Sequence, residues 1–338
     1  MIRCLTVVLA LAIAVSGSAW AAPEKTKVAL AVGGKSALFY LPLTLAERLG
    51  YFRDEGLEVE ISDFAGGSKS LQALMGGSAD VVSGGIDHAI IMQAKGQRIT
   101  AFVLQLVTPG ISLVLRKDRL AMYKGLASLK GMTIGVTAPG SSTHIFLNHL
   151  LGMGQLGVDD VAVVGVGTGP AAAASLRNGQ IDGLVNIEPA VSLVERMGVA
   201  ESVVESTTMK GTTAVFGGPL PAGCLYTRPE FIRQNPQTVQ ALTNAMVRAL
   251  RWLSKATPED VAKAVPEEYL LGDRALYLAA LQKSRESYSR DGLIPAAGVE
   301  SLYRVLKVHD AAVKAAAMPN LADIYDNKFV QKALQSIK

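Results

Sequence analysis

Residues 137–146 read TAPGSSTHIF, so a glycine precedes three hydroxyl side chains where an apolar strand gives way to a helical pattern. Gly140 permits a tight turn, and the free N–H groups of the following helix point outward. Such a terminus attracts anions because the helix dipole places positive partial charge there. We therefore expect Gly140, Ser141, Ser142 and Thr143 to bind a small anion. Simple capping of the helix by these hydroxyls, without a ligand, is the alternative.

A nucleophilic or metal-dependent site is not indicated at this turn. Ser141 and His144 are neighbours on one helical turn, and no G-x-S-x-G motif surrounds them. The chain has four histidines, without a cysteine or carboxylate cluster at ligand spacing. We expect no metal, no cofactor and no enzymatic activity, and we keep His144 as a candidate ligand contact beside the hydroxyls.

The turn belongs to a repeated pattern. The sequence L-x-x-G-x-x-D occurs at 74–80 and again at 176–182, and each copy leads into an apolar strand. Upstream of both copies the order is strand, loop, helix, strand, loop, helix. Strands that alternate with helices predict mainly parallel sheets with helices on both faces, and two such units predict two similar α/β lobes.

Two similar segments indicate where the chain passes between the lobes. SLVLRKD at 112–118 and CLYTRPE at 224–230 are apolar strands that end in a basic residue followed, directly or after one residue, by an acidic one. We interpret them as crossovers. The predicted division is then a first lobe of 23–117 and 226–338 with C-terminal helices, a second lobe of 118–225, and hinges near 112–118 and 222–228.

The ligand is expected between the lobes, because ligands of open parallel sheets gather at the carboxyl ends of the strands. Gly66, Gly67 and Ser68 offer a second donor-rich turn there, which matches the turn of the other lobe. The further candidate contacts in these loops are Lys35, Phe39, Tyr40, Gly85, Asp87 and Glu188.

These further candidates each have a plainer alternative role. Lys35 would neutralise an anion, or it would be an ordinary solvated lysine. Phe39 and Tyr40 would wall the pocket, or Phe39 would belong to the core. Asp87 and Glu188 follow the third strand of each lobe. Either would hold an ammonium group, cap a helix or bridge the lobes.

Two glycine-rich loops resemble nucleotide-binding motifs. GGKS at 33–36 matches the end of GxxxxGK[ST], but Ala29 stands where the motif needs its first glycine, which rejects a nucleoside triphosphate site. GTGPAA at 167–172 fits G-x-G-x-x-A after a strand, with Glu188 about twenty residues on. Pro170 and the short following helix weaken that match, which stays open as an alternative.

The N-terminus predicts export. Residues 1–22 begin with Arg3, continue with an apolar stretch and end near Ala19-Trp20-Ala21, which is typical of a cleaved signal peptide. Cleavage leaves Cys224 as the one cysteine, so no intramolecular disulfide is expected. Loss of Arg3 lowers the net charge from +4 to +3, too little for a nucleic-acid partner. We expect a periplasmic monomer.

Three longer segments together resemble a known family. They are LPLTLAERLGYFRDEGLEVEI at 41–61, GGSKSLQALMGGSADVVSGG at 66–85 and LKGMTIGVTAPGSSTHIFLNHLL at 129–151. The chain is similar in these segments to the periplasmic solute-binding proteins of ABC importers in the nitrate, sulfonate, taurine and thiamine-precursor group. The resemblance implies a two-lobed, type II binding-protein fold that closes around one small ligand, with 66–68 and 140–143 as contacts.

The resemblance also implies a function. It favours capture of a small organic anion, a sulfonate or taurine before nitrate, an aromatic carboxylate or a pyrimidine, and delivery to an inner-membrane permease with its ATPase. The same group contains pyrimidine-synthesising enzymes with a CCCFC motif, which this chain lacks. The alternatives are an NAD(P)-binding oxidoreductase that uses 167–172 and a sensory solute-binding subunit.

Overall fold

A computed structural model describes residues 22–337, so the expected signal peptide lies outside the described residues except for Ala22. The strands of the described part are β1 (Lys27–Val32), β2 (Glu58–Asp63), β3 (Val81–Gly85), β4 (Thr100–Leu104), β5 (Ile111–Arg116), β6 (Thr133–Val136), β7 (Ala162–Gly165), β8 (Gly183–Ile187), β9 (Ala200–Glu205) and β10 (Gly223–Thr227).

The helices of the first part of the chain are α1 (Leu41–Arg48), α2 (Tyr51–Asp54), α3 (Gly67–Met75), α4 (Asp87–Ala94), α5 (Lys117–Leu120), α6 (Ser142–Met153), α7 (Gly169–Arg177), α8 (Ala190–Arg196) and α9 (Met209–Phe216). Those after β10 are α10 (Pro229–Gln234), α11 (Pro236–Lys255), α12 (Pro258–Ala264), α13 (Arg274–Ser284), α14 (Ala296–His309), α15 (Ala311–Ala315) and α16 (Lys328–Ser336). Short 3₁₀ helices cover Leu38–Tyr40, Leu126–Leu129, Val158–Asp160, Glu267–Leu270, Arg285–Ser287 and Leu321–Asp323.

The strands form two five-stranded sheets with the same plan. The first sheet has the order β2-β1-β3-β10-β4 and the second the order β7-β6-β8-β5-β9. In the first, β1 is parallel to β2 and β3, and β10 is antiparallel to β3 and β4. In the second, β6 is parallel to β7 and β8, and β5 is antiparallel to β8 and β9. Each sheet is therefore mixed, with four strands in one direction and one reversed, and the predicted pair of similar α/β lobes is confirmed.

The segments expected to be crossovers are strands. Residues 111–116 lie inside the second sheet and 223–227 inside the first, so the chain crosses at 105–110 and returns between β9 and β10. This corrects the crossovers predicted at 112–118 and 224–230, while the hinges near 112–118 and 222–228 stay a prediction. Both segments resemble each other because each is the reversed strand that the chain forms on entering a lobe, and both are almost wholly buried.

The helices after β10 pack on both lobes. In α11 a stripe of buried side chains, Val239, Leu242, Met246, Leu250 and Leu253, recurs at helical spacing and faces the first lobe. By contrast, α13 contacts α8, and α14 contacts both α4 and α6. Among the helices of residues 22–337, none combines the length and the apolar character of a membrane-spanning segment.

Candidate functional site

The carboxyl ends of the two sheets meet in a closed cleft. The Ser68 backbone N–H donates to Ser141 Oγ at 3.0 Å, and Ser68 Oγ donates to the Pro139 carbonyl at 2.9 Å. At another point of the cleft the Leu38 N–H donates to the Glu188 carbonyl at 2.8 Å. Direct hydrogen bonds therefore join the lobes, which are closed on one another in this structure.

Glycine is required at two tight contacts of the cleft, one between the lobes and one within the first lobe. A Cβ on Gly66 would lie 2.9 Å from the Cβ of Ala138 in the other lobe. A Cβ on Gly33 would overlap the backbone of Gly66. A side chain at Gly66 would hold the lobes apart, and one at Gly33 would displace the turn at Gly66, because carbon atoms do not pack at such distances.

The turn at 140–143 positions the start of α6 against this cleft. Gly140 has φ +83°, in the left-handed region that favours glycine. Ser141 occupies the N-cap position but makes no cap hydrogen bond; its hydroxyl group instead contacts Ser68. Thr143 Oγ1 accepts from the Thr137 N–H at 3.1 Å. The expected alternative of simple side-chain capping is therefore wrong for this helix.

Two backbone amides of α6 remain available. The N–H groups of His144 and Ile145 both donate to the Ser141 carbonyl. The N–H groups of Ser142 and Thr143 have no such partner, because no helical carbonyl lies four residues before them. In a helix of 12 residues these amides carry the positive end of the dipole.

A small cavity lies between the lobes at this terminus, with a volume of about 20 Å³. That is little more than one water molecule needs. Its lining comes from both lobes and consists of Gly33, Phe39, Tyr40, Gly67, Gly85, Ile111, Thr137, Ser141, Ser142, Thr143 and Ile187. Most of these residues were expected from the sequence. Gly33, Ile111, Thr137 and Ile187 were not, although all four lie at or next to strand ends that face the cleft.

Tyr40 contributes a phenol to this cavity. Its side chain is buried, and its hydroxyl oxygen would lie 4.0 Å from a Cβ on Gly67. Burial raises the pKa of Tyr40, and the carboxylates of Asp63 and Asp87 raise it further. The phenol therefore stays protonated at neutral pH and is able to donate a hydrogen bond.

Asp87 places a carboxylate beside the cavity. Its Oδ1 accepts from the His88 N–H at 2.8 Å and from Ser142 Oγ, in the other lobe, at 3.1 Å. A Cβ on Gly85 would overlap both Asp87 and Ser142, so glycine makes this contact possible. Neither lysine nor arginine is among the described residues that line the cavity.

A buried histidine backs the same wall. His88 Nδ1 lies 3.1 Å from the Tyr226 hydroxyl, while Nε2 has no hydrogen-bond partner among the described residues. A Cβ on Gly67 would lie 3.3 Å from His88 Cε1, so the ring packs directly behind Gly67.

Three expected contacts lie away from the cavity. Lys35 forms an ion pair with Glu47 at 2.8 Å and is not free for a ligand. Glu188 is buried, accepts from the Ser192 N–H at 3.0 Å and faces Lys283 at 3.4 Å. His144 Nδ1 accepts from the Gly140 N–H at 2.9 Å. Of the remaining expected residues, Gly66, Ser68 and Gly140 form the interlobe contact beside the cavity.

The second glycine-rich loop is also an interlobe contact. A Cβ on Gly34 would lie 2.6 Å from Thr168 Oγ1. The Gly167 carbonyl accepts from Asn186 Nδ2 at 3.0 Å, and the following helix α7 has nine residues. The loop at 167–172 thus faces the first lobe, where a bound dinucleotide would have to lie.

Comparison with known proteins supports this architecture. A structure from Bordetella bronchiseptica RB50 is 49% identical, with a TM-score of 0.89, and the match covers 93% of this chain and 98% of that one. The alkanesulfonate-binding protein SsuA from Xanthomonas axonopodis pv. citri is 19% identical with a TM-score of 0.68, over 90% of this chain and 99% of that one. The latter likeness shows the fold alone, and the two-lobed fold of periplasmic binding proteins is confirmed.

Sequence comparison also relates the chain to binding proteins. The Bacillus subtilis protein YtlA, named as a binding protein, is 25% identical over 266 residues, which are 76% of each chain. The sequence profile of the NMT1-like family matches residues 21–265, a range that includes all strands of both sheets. The chain therefore belongs to the NMT1-like family.

Proposed function

We propose that this protein is the periplasmic solute-binding component of an ABC importer and that its lobes close around a small organic anion. The observation that carries the proposal is the interlobe cavity at the start of α6. The cavity draws its walls from both lobes, so a ligand that fills it binds the closed form better than the open form. Such differential affinity is what drives closure.

The donors at the cavity suit a singly charged acid group. The amides of Ser142 and Thr143 and the Tyr40 hydroxyl supply hydrogen bonds and positive partial charge. Asp87 is a fixed negative group nearby, and no described cation lines the cavity. A sulfonate or carboxylate fits this balance better than a dianionic phosphate ester does. Taurine adds an ammonium group that Asp87 would attract.

Opening requires the two connections between the sheets to bend. These are residues 105–110 and the segment between β9 and β10. The hydrogen bonds of Ser68 with Ser141 and Pro139 break when the lobes separate, and solvent then reaches the cavity. The closed surface would be presented to a membrane permease, which completes the transport cycle.

The test is a calorimetric titration of the mature chain with methanesulfonate, taurine, nitrate, benzoate and a pyrimidine. Gly66→Ala places a methyl group against Ala138 and keeps the lobes apart, so we expect about tenfold weaker binding or worse. Gly218→Ala is the matched control, because a Cβ there has nothing within 4 Å.

The result that overturns the proposal is equal binding by both variants, or no binding of any of these solutes. Tight binding of NAD(P) in place of small acids would support the oxidoreductase instead. A compact shape in small-angle scattering on ligand addition, lost in Gly66→Ala and kept in Gly218→Ala, supports closure as the mechanism.

A further inference from the structure

A second cavity adjoins the one at the start of α6. It has a volume of about 40 Å³, and it shares Ile111 and Ser142 with the first cavity. Asp87 lies at the boundary, because it lines the second cavity and its Oδ1 accepts from Ser142 Oγ. A ligand whose acid group occupies the first cavity would therefore extend its remaining atoms into the second.

Three parts of the fold build the walls of the second cavity. One face of α6 contributes Ile145, Phe146 and His149, which follow Ser142 at helical spacing. The return connection contributes Phe216 and the segment 220–222, and α14 contributes Leu302 and Val305. Because these parts belong to different lobes and to the C-terminal helices, the cavity is complete only in the closed form.

Apart from Ser142, whose hydroxyl group donates to Asp87, the lining is apolar except for two hydrogen-bond acceptors. One is the Asp87 carboxylate. The other is His149, whose side chain is 8% exposed and stacks on Phe216 with 4.7 Å between ring centroids. His149 Nε2 lies 3.0 Å from the Val215 carbonyl. A carbonyl only accepts, so Nε2 carries the proton of the neutral ring and Nδ1 is an acceptor. This Nδ1 is buried and has no partner among the described residues.

An orphaned acceptor in an apolar wall costs free energy unless a donor meets it. Burial lowers the pKa of His149, which keeps the ring neutral and Nδ1 unprotonated at neutral pH. A ligand with a hydroxyl or N–H group on its apolar part would donate to the Asp87 carboxylate, which lines the same cavity. Nitrate, by contrast, has neither an apolar part nor a donor.

We infer that the second cavity is the subsite for the apolar part of the ligand, and that the ligand is an aromatic monocarboxylate or monosulfonate whose ring carries a hydroxyl or amino donor. This inference rests on the proposed function and specifies its substrate class. The two cavities have room for water molecules only. Binding of a ring therefore requires the lobes to close less tightly than they do in this structure.

Matched pairs of acids test the inference on the mature chain. Benzenesulfonate is compared with methanesulfonate, and benzoate with acetate, by calorimetry at neutral pH. Within each pair the acid group is the same, so a difference in affinity reports the apolar part. We expect the ring to improve affinity by about tenfold or more. The 3- and 4-aminobenzenesulfonates are then compared with benzenesulfonate, and we expect at least one of them to bind more tightly.

Two variants place the effect in the second cavity. Val305→Phe fills the cavity from α14 and is expected to remove the advantage of the ring while methanesulfonate binding is kept. Val308→Phe is the matched control, because Val308 lies on the same helix and is 62% exposed. Ile145→Phe fills the cavity from the opposite wall and serves as an independent second variant.

Each remaining outcome counts against the inference. Equal affinities within both pairs would overturn the apolar subsite while leaving the proposed function intact. Failure of both aminobenzenesulfonates to exceed benzenesulfonate would overturn the donor requirement. If both filling variants lose methanesulfonate as well, the second cavity is not a separate subsite. If none of the acids binds, the proposed function falls and the inference falls with it.

Discussion

Asp87 and Glu188 occupy corresponding places in the two lobes, yet they have different partners. Each follows the third strand of its sheet, β3 or β8. Asp87 faces the cleft, where Ser142 of the other lobe donates to it at 3.1 Å. The side chain of Glu188 turns to the C-terminal helix α13 and faces Lys283 at 3.4 Å. One carboxylate therefore borders the ligand cavity, and the other ties the second lobe to the helices that follow β10.

The difference shows that a repeated backbone does not repeat its chemistry. The C-terminal helices exist once, so they pack differently against each lobe. Lys283 on α13 lies within 3.5 Å of Glu188, Glu195 and Glu205 of the second lobe. The first lobe has α11 in place of this contact. Neighbouring elements outside the repeat thus decide which carboxylate is available to a ligand.

Replacement of Lys283 is expected to have the largest effect. Lys283→Met leaves Glu188 buried without its cation. It also removes the positive charge that offsets the repulsion of Glu188 by Glu195 and Glu205. Loss of one partner of a buried pair costs about 3 kcal/mol, measured as the free energy of unfolding in urea. Lys328→Met is the control, because its ion pair with Asp326 is at the surface and is worth less than about 1 kcal/mol. Similar losses in the two variants would show that Glu188 has no special tie to α13.

Neutralisation of Asp87 tests whether this carboxylate, unlike Glu188, borders the ligand cavity. Asp87→Asn keeps an oxygen for Ser142 but removes the negative charge beside the cavity. We expect methanesulfonate to bind about tenfold more tightly, which corresponds to about 1.4 kcal/mol, because a like charge no longer opposes it. Taurine is expected to lose part of its affinity, since its ammonium group loses a partner. Affinities that shift in the same direction for both solutes would place Asp87 outside the site.

The smallest effect concerns pH and Glu188. Burial raises the pKa of Glu188 above its ordinary value, although Lys283 and Ser192 act in the opposite direction. The folded state therefore binds this proton more tightly than the unfolded state. The corresponding stability is present below the ordinary glutamate pKa and is lost as the pH rises through the folded value. Glu188→Gln does not titrate, so the free energy of unfolding of the wild type should fall relative to this variant as the pH rises from about 4.5.

Urea unfolding of both proteins at several pH values measures this difference. A difference that stays constant across the pH range would mean that the pKa of Glu188 is the same in the folded and unfolded states. A difference that changes in the opposite direction would mean that Lys283 dominates over burial.

The two lobes and their order along the chain could be predicted from local sequence patterns. Strand and helix periodicities, repeated with the motif L-x-x-G-x-x-D, are local properties of the chain, and a local pattern is enough to specify a strand that is followed by a helix. The glycines at 66 and 140 and the hydroxyls at 141–143 were recognisable for the same reason, since a turn before a helix has a short sequence signature. The ligand role assigned to these residues remains a prediction.

Which side chains face the cleft depends on how distant parts of the chain pack, and it could not be predicted from local patterns. Ile145, Phe146 and His149 could not be recognised as cavity residues, because an apolar helix face predicts burial but not the element it packs against. The predicted crossovers fell in β5 and β10, since both strands carry the same apolar signature as any buried strand. Lys35 and Glu188 were expected at the ligand but are paired with Glu47 and Lys283. Charge pairing joins residues distant in the chain, and it follows from packing that no local spacing encodes.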